Sequence, residues 1–342
     1  MHTDTRKAEN RKRIAGMPKA ELHMHLEGSI EADLMFRLAR RNDVRLQWES
    51  EGAVRAAYKF ANLQGFLDMY YAGLTVLLTE ADFFDMTWAY LEKVHAENVV
   101  HTEVFISPQA HTRRGIAFEV MFEGIWNALK QAESRFGMTT GLILGLQRQW
   151  SEEDAFAMLD QARTVGDRIA GIGMGGPELS NPPTKFVNAY ARARAEGWKT
   201  VAHAGEEGPA SYVADTVDLL KVDRIDHGVR CAEDPALVAR LTHSRTPLTV
   251  CPLSNVELKV FPNLAAHNLK TLLRAGVAVT INSDDPSYFG GYMNENFSAT
   301  QEALELTADD IYTIARNGFE AAFLPSAVKA RHIAALDAYW KT

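Results

Sequence analysis

The chain has 342 residues, of which 46% are hydrophobic and 23% are charged, and its formal net charge is −8. This composition is ordinary for a globular protein, no segment offers the roughly 18–20 consecutive apolar residues of a membrane span, and an acidic chain without an extended basic block disfavours general nucleic-acid binding. The two cysteines, Cys231 and Cys251, form neither a disulfide framework nor a CxxC zinc motif, so we predict a cytoplasmic protein.

The charged segment 1–17 is predicted to be a flexible N-terminal arm, because it lacks the apolar core of a secretory signal. We predict a single domain over residues 18–342, since no Pro-rich linker, low-complexity tract or solenoid repeat divides this region. Short apolar, β-branched runs bounded by turn residues predict eight strands. These runs cover residues 20–26, 98–106, 141–147, 168–174, 198–204, 222–228, 246–252 and 276–283.

Segments with helical spacing lie between these runs, among them 81–97, 151–166 and 232–244. Ser151, followed three residues later by Asp154, is an N-cap signal for the second of them. Strands that alternate with helices pair in parallel, and eight such units predict a closed (β/α)8 TIM barrel. A doubly wound open sheet is the alternative fold, which the number of units disfavours.

The connection over residues 27–97 is too long for a single βα unit. It contains several amphipathic stretches, so we predict a helical insertion after strand 1. Such an insertion lies on the C-terminal face of the barrel, where it can cover a site. Most of its aromatic side chains are assigned to packing, and Phe60 is given a second role in contacting a ligand.

The first predicted strand carries His23 and His25 within ELHMHLEGS. Residues i and i+2 of a strand project to the same face, so both imidazoles can reach one ion with Zn–N bonds of about 2.0–2.1 Å. The alternative is a polar pair on a solvated strand, because HxH is short enough to arise by chance.

Three further predicted strands end in polar residues, and a barrel enzyme gathers its chemistry at the C-terminal ends of its strands. The fifth strand carries His203, followed by Glu206; the sixth carries His227; the eighth is followed by Asp284 and Asp285. Taken singly, each histidine could be a buried structural residue and the aspartate pair could be a turn. Four strands that end in this way favour one shared site.

Three histidines and a carboxylate form a donor set that suits Zn²⁺, with other first-row metals left open. The predicted ligands are His23, His25, His203 and Asp284. We predict one ion per chain, because the fourth strand offers no bridging Lys, Glu or Cys. Glu178, shortly after that strand, is the residue that would alter this number, and is otherwise assigned to a substrate or structural contact.

A metal in this position lowers the pKa of a bound water towards neutrality. Glu206, beside His203, is predicted to be the general acid/base. His227 and Asp285 are predicted to orient and deprotonate the water and to stabilise the developing charge.

The segments HMHLEGS, HAGEEG, RIDHGVR, VCPLSN and NSDDPSYFGGY resemble the adenosine/adenine deaminase family of the amidohydrolase superfamily, and the resemblance covers nearly the whole chain. It implies a zinc-bearing barrel that hydrolyses the exocyclic amine of a purine and releases ammonia. It also implies that Glu206 protonates the purine ring, that His227 handles the water and that Asp285 contacts the substrate near the attacking hydroxide. The implied zinc ligands are His23, His25, His203 and Asp284.

Within that family, the chain is most similar to bacterial and fungal adenine deaminases, through the run TWAYLEKVHAENVVHTEVFISPQAHTRRGI, the FGGY after SDDPSY, and Glu27. Nucleoside deaminases typically have Asp in place of Glu27, and the resemblance implies that the longer side chain reaches into the space a ribose needs. We therefore expect conversion of adenine to hypoxanthine, in purine salvage or nitrogen catabolism.

The segment MGGPE, residues 174–178, departs from the LDSSE-like segment usual in adenine deaminases. Gly176 matches the glycine whose backbone N–H faces the purine in adenosine deaminases, and we assign Gly176 and Glu178 to substrate binding. The loss of Asp and Ser side chains adds room, so adenosine or an N6-substituted or otherwise modified adenine is the alternative substrate. Tolerated variation in a loop explains the departure equally well.

Three other kinds of function make different demands on the sequence. A binuclear-metal amide or phosphoester hydrolase on the same barrel requires a second metal. A catalytically silent binding protein does not require Glu206, His227 and Asp285 together. Deaminases that flip bases out of nucleic acid carry H-x-E…P-C-x-x-C, which this sequence lacks. We therefore expect a small-molecule purine substrate and neither a nucleic-acid nor a membrane partner, and homo-oligomerisation stays open.

Overall fold

Eight parallel strands form the centre of the protein in a computed structural model that describes residues 2–341, with side chains from residue 7 onward. Neighbouring strands follow chain order from β1 to β8. The strands are β1 Lys19–His25, β2 Val99–Ile106, β3 Thr139–Gln147, β4 Gly171–Gly175, β5 Lys199–Ala204, β6 Arg224–His227, β7 Leu248–Val250 and β8 Val279–Ile281. Each overlaps one predicted run, so the barrel prediction is confirmed.

The sheet closes between β1 and the residue segment that follows β8. The backbone N–H of His25 donates to the carbonyl of Asp284 at 2.9 Å, and the N–H of Asp284 donates to the carbonyl of His23 at 3.1 Å. The closure therefore joins three of the predicted ligand positions through the backbone itself.

Helices connect the strands and cover the barrel. They are α1 His2–Gly16, α2 Ala32–Arg41, α3 Glu51–Ala56, α4 Leu63–Gly73, α5 Glu80–Ala96, α6 Pro108–Thr112, α7 Phe118–Phe136, α8 Glu152–Val165, α9 Val187–Ala195, α10 Ala210–Asp215, α11 Pro235–Ser244, α12 Pro252–Glu257, α13 Leu269–Arg274, α14 Met293–Leu304, α15 Ala308–Ala321 and α16 Ser326–Trp340. Short 3₁₀ turns occupy Leu26–Ser29, Leu74–Val76, Gly166–Arg168, Pro183–Phe186, Val229–Glu233 and Leu264–Ala266, and a π-helical turn occupies Thr216–Leu220. Within residues 2–341, no helix combines the length and the apolar character needed to cross a bilayer.

The predicted start of α8 is confirmed. The hydroxyl of Ser151 accepts the backbone N–H of Asp154 at 3.1 Å, and the carboxylate of Asp154 accepts the N–H of Ser151 at 3.2 Å. This reciprocal capping box satisfies two backbone donors that a helix end would otherwise leave free.

The segment predicted to be a flexible arm is helical from His2 to Gly16. Arg11 in α1 donates to Glu302 at 2.7 Å and to Glu295 at 3.0 Å, both in α14. The mobility of this segment and the extent of a single domain over residues 18–342 stay predictions.

The predicted insertion after strand 1 consists of α2 to α5. Phe66 and Tyr70 of α4 are buried and pack against each other with ring centroids 5.4 Å apart. The insertion therefore forms a packed layer over the C-terminal face rather than an open loop, as predicted.

A buried ion pair holds the opposite end of the barrel interior. Arg224 at the start of β6 donates to the Glu103 carboxylate of β2 at 2.6 Å, and both side chains are at most 1% exposed. The same guanidinium donates to the carbonyls of Leu22 and Ala321, each at 3.2 Å. Arg224 thus joins β1, β2, β6 and the end of α15. Its positive charge lowers the pKa of the Glu103 carboxyl to about 2, although burial alone would raise it.

We expect Arg224→Leu to lower the free energy of unfolding by about 3–5 kcal/mol, because it leaves the Glu103 carboxylate buried without its partner. Urea denaturation followed by circular dichroism measures the change. The control is Asp218→Asn, which breaks an exposed pair with Arg240 and should cost less than about 1 kcal/mol. Equal losses in the two variants would contradict a structural role for the buried pair.

Candidate active site

The predicted site residues lie together at the C-terminal ends of the strands. β1 contributes His23 and His25, β5 contributes His203, β6 ends at His227, and Asp284 follows β8. The register between β1 and β2 shifts between Glu21 and Met24, where His23 lies. Such irregularities re-aim side chains and are common next to active sites.

Two of these residues hold backbone conformations that non-glycine residues rarely adopt. The φ angles of His227 and Asp284 are +62° and +66°. A left-handed conformation costs on the order of 1–3 kcal/mol and persists where the surroundings fix it. These two conformations therefore lower the stability of the fold while directing both side chains inwards.

The four predicted metal ligands converge on one point. The Nε2 atom of His203 lies 3.1 Å from Nε2 of His23 and 3.2 Å from Nε2 of His25, and Oδ1 of Asp284 lies 3.4 Å from each of the last two nitrogens. Four ligands bonded tetrahedrally to one Zn²⁺ at about 2.0–2.2 Å lie about 3.3–3.6 Å apart. The observed separations therefore fit a metal centre.

The tautomers of two histidines support the same conclusion. Nδ1 of His23 lies 3.1 Å from the carbonyl of Thr249, which accepts only, so the proton is on Nδ1. Nδ1 of His203 lies 3.3 Å from Oδ2 of Asp226. His23 thus directs the lone pair of Nε2 towards the centre, and the carboxylate near Nδ1 of His203 favours the same tautomer in that ring. A cation stabilises such an arrangement.

Asp226 is a site residue that the sequence analysis missed. Its carboxylate is buried between the Nδ1 atoms of His203 and His23, at 3.3 and 4.0 Å, and accepts a hydrogen bond from the Thr249 hydroxyl at 2.8 Å. Asp226 and His203 are register partners on β5 and β6, so both side chains point to the same side. The sequence signal that could have identified Asp226 is its position on a strand, one residue before His227.

Glu206 lies beside the ligand cluster, in the loop after β5. Its carboxyl oxygen Oε2 is 3.6 Å from Nε2 of His227. Burial raises its pKa well above the usual range, and the charges of Asp284, Glu178 and Glu207 raise it further. A neutral carboxyl at this position can donate a proton near neutral pH.

A chain of three side chains fixes the orientation of the His227 ring. The backbone N–H of Leu269 donates to Nδ1 of His267 at 3.0 Å, which leaves the proton of a neutral His267 on Nε2. That nitrogen lies 3.2 Å from Oδ1 of Asn255, and Nδ2 of Asn255 lies 3.2 Å from Nδ1 of His227. Burial lowers the pKa of both histidines, to about 3 for His267. Neutral His227 therefore presents an Nε2–H to the site.

Asp285 lines the same cavity. Burial raises its pKa well above the usual range, and the neighbouring charge of Asp284 adds to the effect. Among the described residues, its Oδ1 atom is buried and has no hydrogen-bond partner. A buried polar atom without a partner is costly, so Oδ1 is available to a ligand.

The cavity has a volume of about 50 Å³ and lies between the strand ends and the insertion. Gly176 is at its wall with a φ of +96°, a conformation in which a side chain is strained, and a Cβ there would lie 2.5 Å from Oε1 of Gln149. Besides Glu206, His227, Asp284 and Asp285, the lining includes five residues at α4: Leu63, Phe66, Leu67, Tyr70 and Tyr71. The insertion therefore covers the site.

Three predicted substrate contacts lie behind the cavity wall. Glu27 is buried and its carboxylate accepts the N–H of Ser107 at 3.0 Å, while its Oε2 has no partner among the described residues. Phe60 packs against Phe66 with ring centroids 5.4 Å apart. Glu178 is turned towards the backbone of residues 205–208. Contact of these three residues with a substrate stays a prediction.

Comparison with known proteins agrees with this geometry. The family model described as adenosine deaminase matches residues 18–339. An adenine deaminase of Cupriavidus taiwanensis is 56% identical, covering 96% of this chain and 93% of its own length, and one of Sphingopyxis alaskensis is 57% identical, covering 95% and 96%.

Solved structures give the same result. The crystal structure of an adenine deaminase from Arthrobacter aurescens is similar with a TM-score of 0.94 and 46% identity, over 96% of this chain and 100% of that one. An amidohydrolase from Burkholderia ambifaria, solved with bound Zn, has a TM-score of 0.90 and 29% identity, over 97% and 92%. The chain belongs to the adenosine deaminase family.

Proposed function

We propose that this protein hydrolyses adenine to hypoxanthine and ammonia. Water adds to the ring carbon that bears the amine and loses one proton, while a ring nitrogen gains one. The remaining hydroxyl proton passes to the amine, so that the C–N bond breaks and ammonia leaves. The observation that carries the proposal is the convergence of four metal-donor atoms beside a buried carboxyl with a raised pKa. The substrate is supported by the relatives named adenine deaminase at 56% and 57% identity.

The proposed cofactor is one Zn²⁺ per chain, held by His23, His25, His203 and Asp284. Its support is the donor set, the spacing of the donor atoms and the bound Zn of the Burkholderia amidohydrolase. When bound in such a site, zinc lowers the pKa of water to about 7 and so provides a nucleophile at neutral pH.

Glu206 is proposed to be the catalytic acid. Its neutral carboxyl donates a proton to the purine ring, which makes the carbon that bears the amine more electrophilic. Burial and three neighbouring carboxyl groups disfavour the charged form of Glu206, so its carboxyl holds a proton near neutral pH and is available as an acid.

His227 and Asp285 are proposed to act on the other side of the reacting carbon. The Nε2–H of neutral His227 orients the attacking oxygen and stabilises the negative charge that develops on it. The free Oδ1 of Asp285 binds the purine. A cation on the four ligands would offset the charge of Asp284, which contributes to the raised pKa of Asp285, and the ionised carboxylate would then accept a proton from the water. Gly176, at the cavity wall, is proposed to place its backbone against the base.

Free adenine is proposed as the substrate rather than a nucleoside, with a role in purine salvage. The support is the relatives named adenine deaminase at 56% and 57% identity, together with Glu27, whose buried Oε2 has no hydrogen-bond partner among the described residues. A cytoplasmic location is proposed from the two cysteines, which are both buried and free.

The first prediction from the proposed function concerns substrate and metal together. Purified enzyme should turn over adenine with a higher kcat/KM than adenosine or N6-alkyl adenines, measured by the ultraviolet difference between substrate and product. Metal analysis of the same preparation should give about one zinc per chain. Absence of adenine turnover would reject the substrate, and two metals per chain would favour a binuclear hydrolase.

The second prediction concerns the acid. Glu206→Gln should retain zinc and lower kcat by about 10²–10⁴-fold, because it removes a proton donor and not a ligand. The control is Glu233→Gln, an exposed acid paired with Arg230, which should leave kcat unchanged. Loss of zinc from Glu206→Gln would show that Glu206 is a ligand.

The third prediction concerns Asp226. Asp226→Asn should weaken zinc binding by about 10–100-fold, because it removes the charge that orients His203 and His23. Competition with a chelator for zinc measures the affinity. Asp223→Asn, three residues earlier on the chain and paired with Lys199, is the matched control. Equal affinities in the two variants would exclude a role for Asp226 in the metal centre.

A further inference from the structure

Glu178 makes an unusual set of contacts with the loop that carries Glu206. Its Oε1 accepts the backbone N–H of Gly205 at 2.7 Å. Its Oε2 accepts the N–H groups of Glu206, Glu207 and Gly208 at 3.0, 2.9 and 2.7 Å. One buried carboxylate thus receives four consecutive backbone donors, which together compensate its burial.

We propose that Glu178 is a positioning residue for the reaction: its carboxylate fixes the backbone of residues 205–208 and thereby the place of the Glu206 carboxyl, without touching the substrate. The inference rests on the proposed role of Glu206 as the acid. Of the substrate or structural contact that the sequence suggested for Glu178, it assigns the structural one and gives it a role in the reaction.

The loop has no regular structure that could hold Glu206 by itself. β5 ends at Ala204 and α10 begins at Ala210, so no strand ladder or helix supports the residues between them. A side chain on such a segment is displaced easily, and a displacement of about 1 Å at a reacting group can cost about 100-fold in rate. The four hydrogen bonds to Glu178, together with those that Arg230 donates to the carbonyls of Gly205 and Glu207, supply the rigidity that secondary structure does not.

The fit between loop and carboxylate is close. A Cβ atom added to Gly208 would lie 2.4 Å from Oε1 of Glu178 and 2.7 Å from Cδ2 of Tyr212. Only glycine leaves room for the carboxylate at this position. The sequence HAGEEG therefore combines the acid with a residue that permits the clamp.

Hydrogen bonds from neighbouring residues fix the backbone of Glu178 in turn. The backbone N–H of Asn181 donates to the carbonyl of Glu178 at 3.1 Å, and the carbonyl of Asn181 accepts the guanidinium of Arg148 at 2.9 Å. Arg148, fully buried after β3, also donates to the carbonyl of His203 at 2.8 Å. The clamp therefore links the ends of β3, β4 and β5, which include a proposed metal ligand.

Three variants test the proposal: Glu178→Gln, Glu206→Gln and the double variant. Glu178→Gln exchanges one acceptor oxygen for an amide that faces N–H groups, so kcat should fall by about 10–100-fold while KM changes less. Because Glu178 acts through Glu206, the double variant should be no more than about 3-fold slower than Glu206→Gln alone. Losses that multiply would show a separate, general role and overturn the proposal.

Hydrogen exchange of the peptide that spans residues 204–209 provides a readout without substrate. The amides of Gly205 to Gly208 should exchange faster in Glu178→Gln than in the unmodified chain, while the zinc content stays close to that of the unmodified chain. Unchanged exchange would overturn the proposal, whichever purine is the substrate. The kinetic cycle is run on the purine that the unmodified enzyme turns over best, so failure of adenine as substrate remains a separate result.

Gly208→Ala tests the clamp from the loop side and replaces Glu178→Gln if that variant does not fold. This variant keeps the glutamate at position 178, but the added methyl group displaces its carboxylate. It should therefore reproduce the loss of kcat and the faster exchange. The matched control for Glu178→Gln is Asp310→Asn. Asp310, at the start of α15, is another buried carboxylate, and it accepts the backbone N–H of Thr307 at 2.9 Å. Asp310→Asn should leave kcat unchanged, and full activity in Gly208→Ala would contradict the clamp.

Discussion

The active site depends on holding groups together that repel one another. Three imidazole nitrogens and a carboxylate oxygen lie 3.1–3.4 Å apart, in a region from which water is largely excluded. Low dielectric surroundings strengthen both this repulsion and the attraction of the cluster for a cation. Thr249 and Asp226 orient two of the rings, and the closure of the barrel ties Asp284 to His23 and His25. The rigid backbone of the barrel therefore holds the four groups together against their mutual repulsion.

The barrel divides stability and chemistry between its two ends, as this fold generally does. At one end Arg224 and Glu103 form a pair of opposite charges that also satisfies backbone carbonyls, and the interior closes around it. At the other end carboxyl groups crowd together: Asp284, Asp285 and Glu206 share one cavity. This crowding disfavours ionisation of all three at once, which explains why the pKa of Glu206 and of Asp285 is raised while that of Asp284, next to the histidines, is lowered.

The strands, and the meeting of three histidines and Asp284 at one end of the barrel, could be predicted from sequence because their signals are local. Short apolar runs ended in His or Asp, and parallel pairing brings such ends to one face. The supporting residues could not be found in this way. Asp226 reads as a polar residue within a strand, and its partnership with His203 depends on the register between β5 and β6. Asn255 is 28 residues from its partner His227 in the sequence, and His267 is 12 residues from its partner Asn255. No local sequence pattern links these residues.

Glu178 shows most clearly why the role of a residue requires the structure. Its sequence position, after a strand and next to glycines, is equally compatible with a metal ligand, a substrate contact and a structural contact. Only the directions of four backbone N–H groups distinguish among these. The same contacts place a carboxylate charge beside Glu206, where it raises the pKa of the acid. One side chain can therefore both fix the place of the acid and favour its neutral form, so the geometry of the loop and the proton of Glu206 are coupled through a residue that lies outside the cavity.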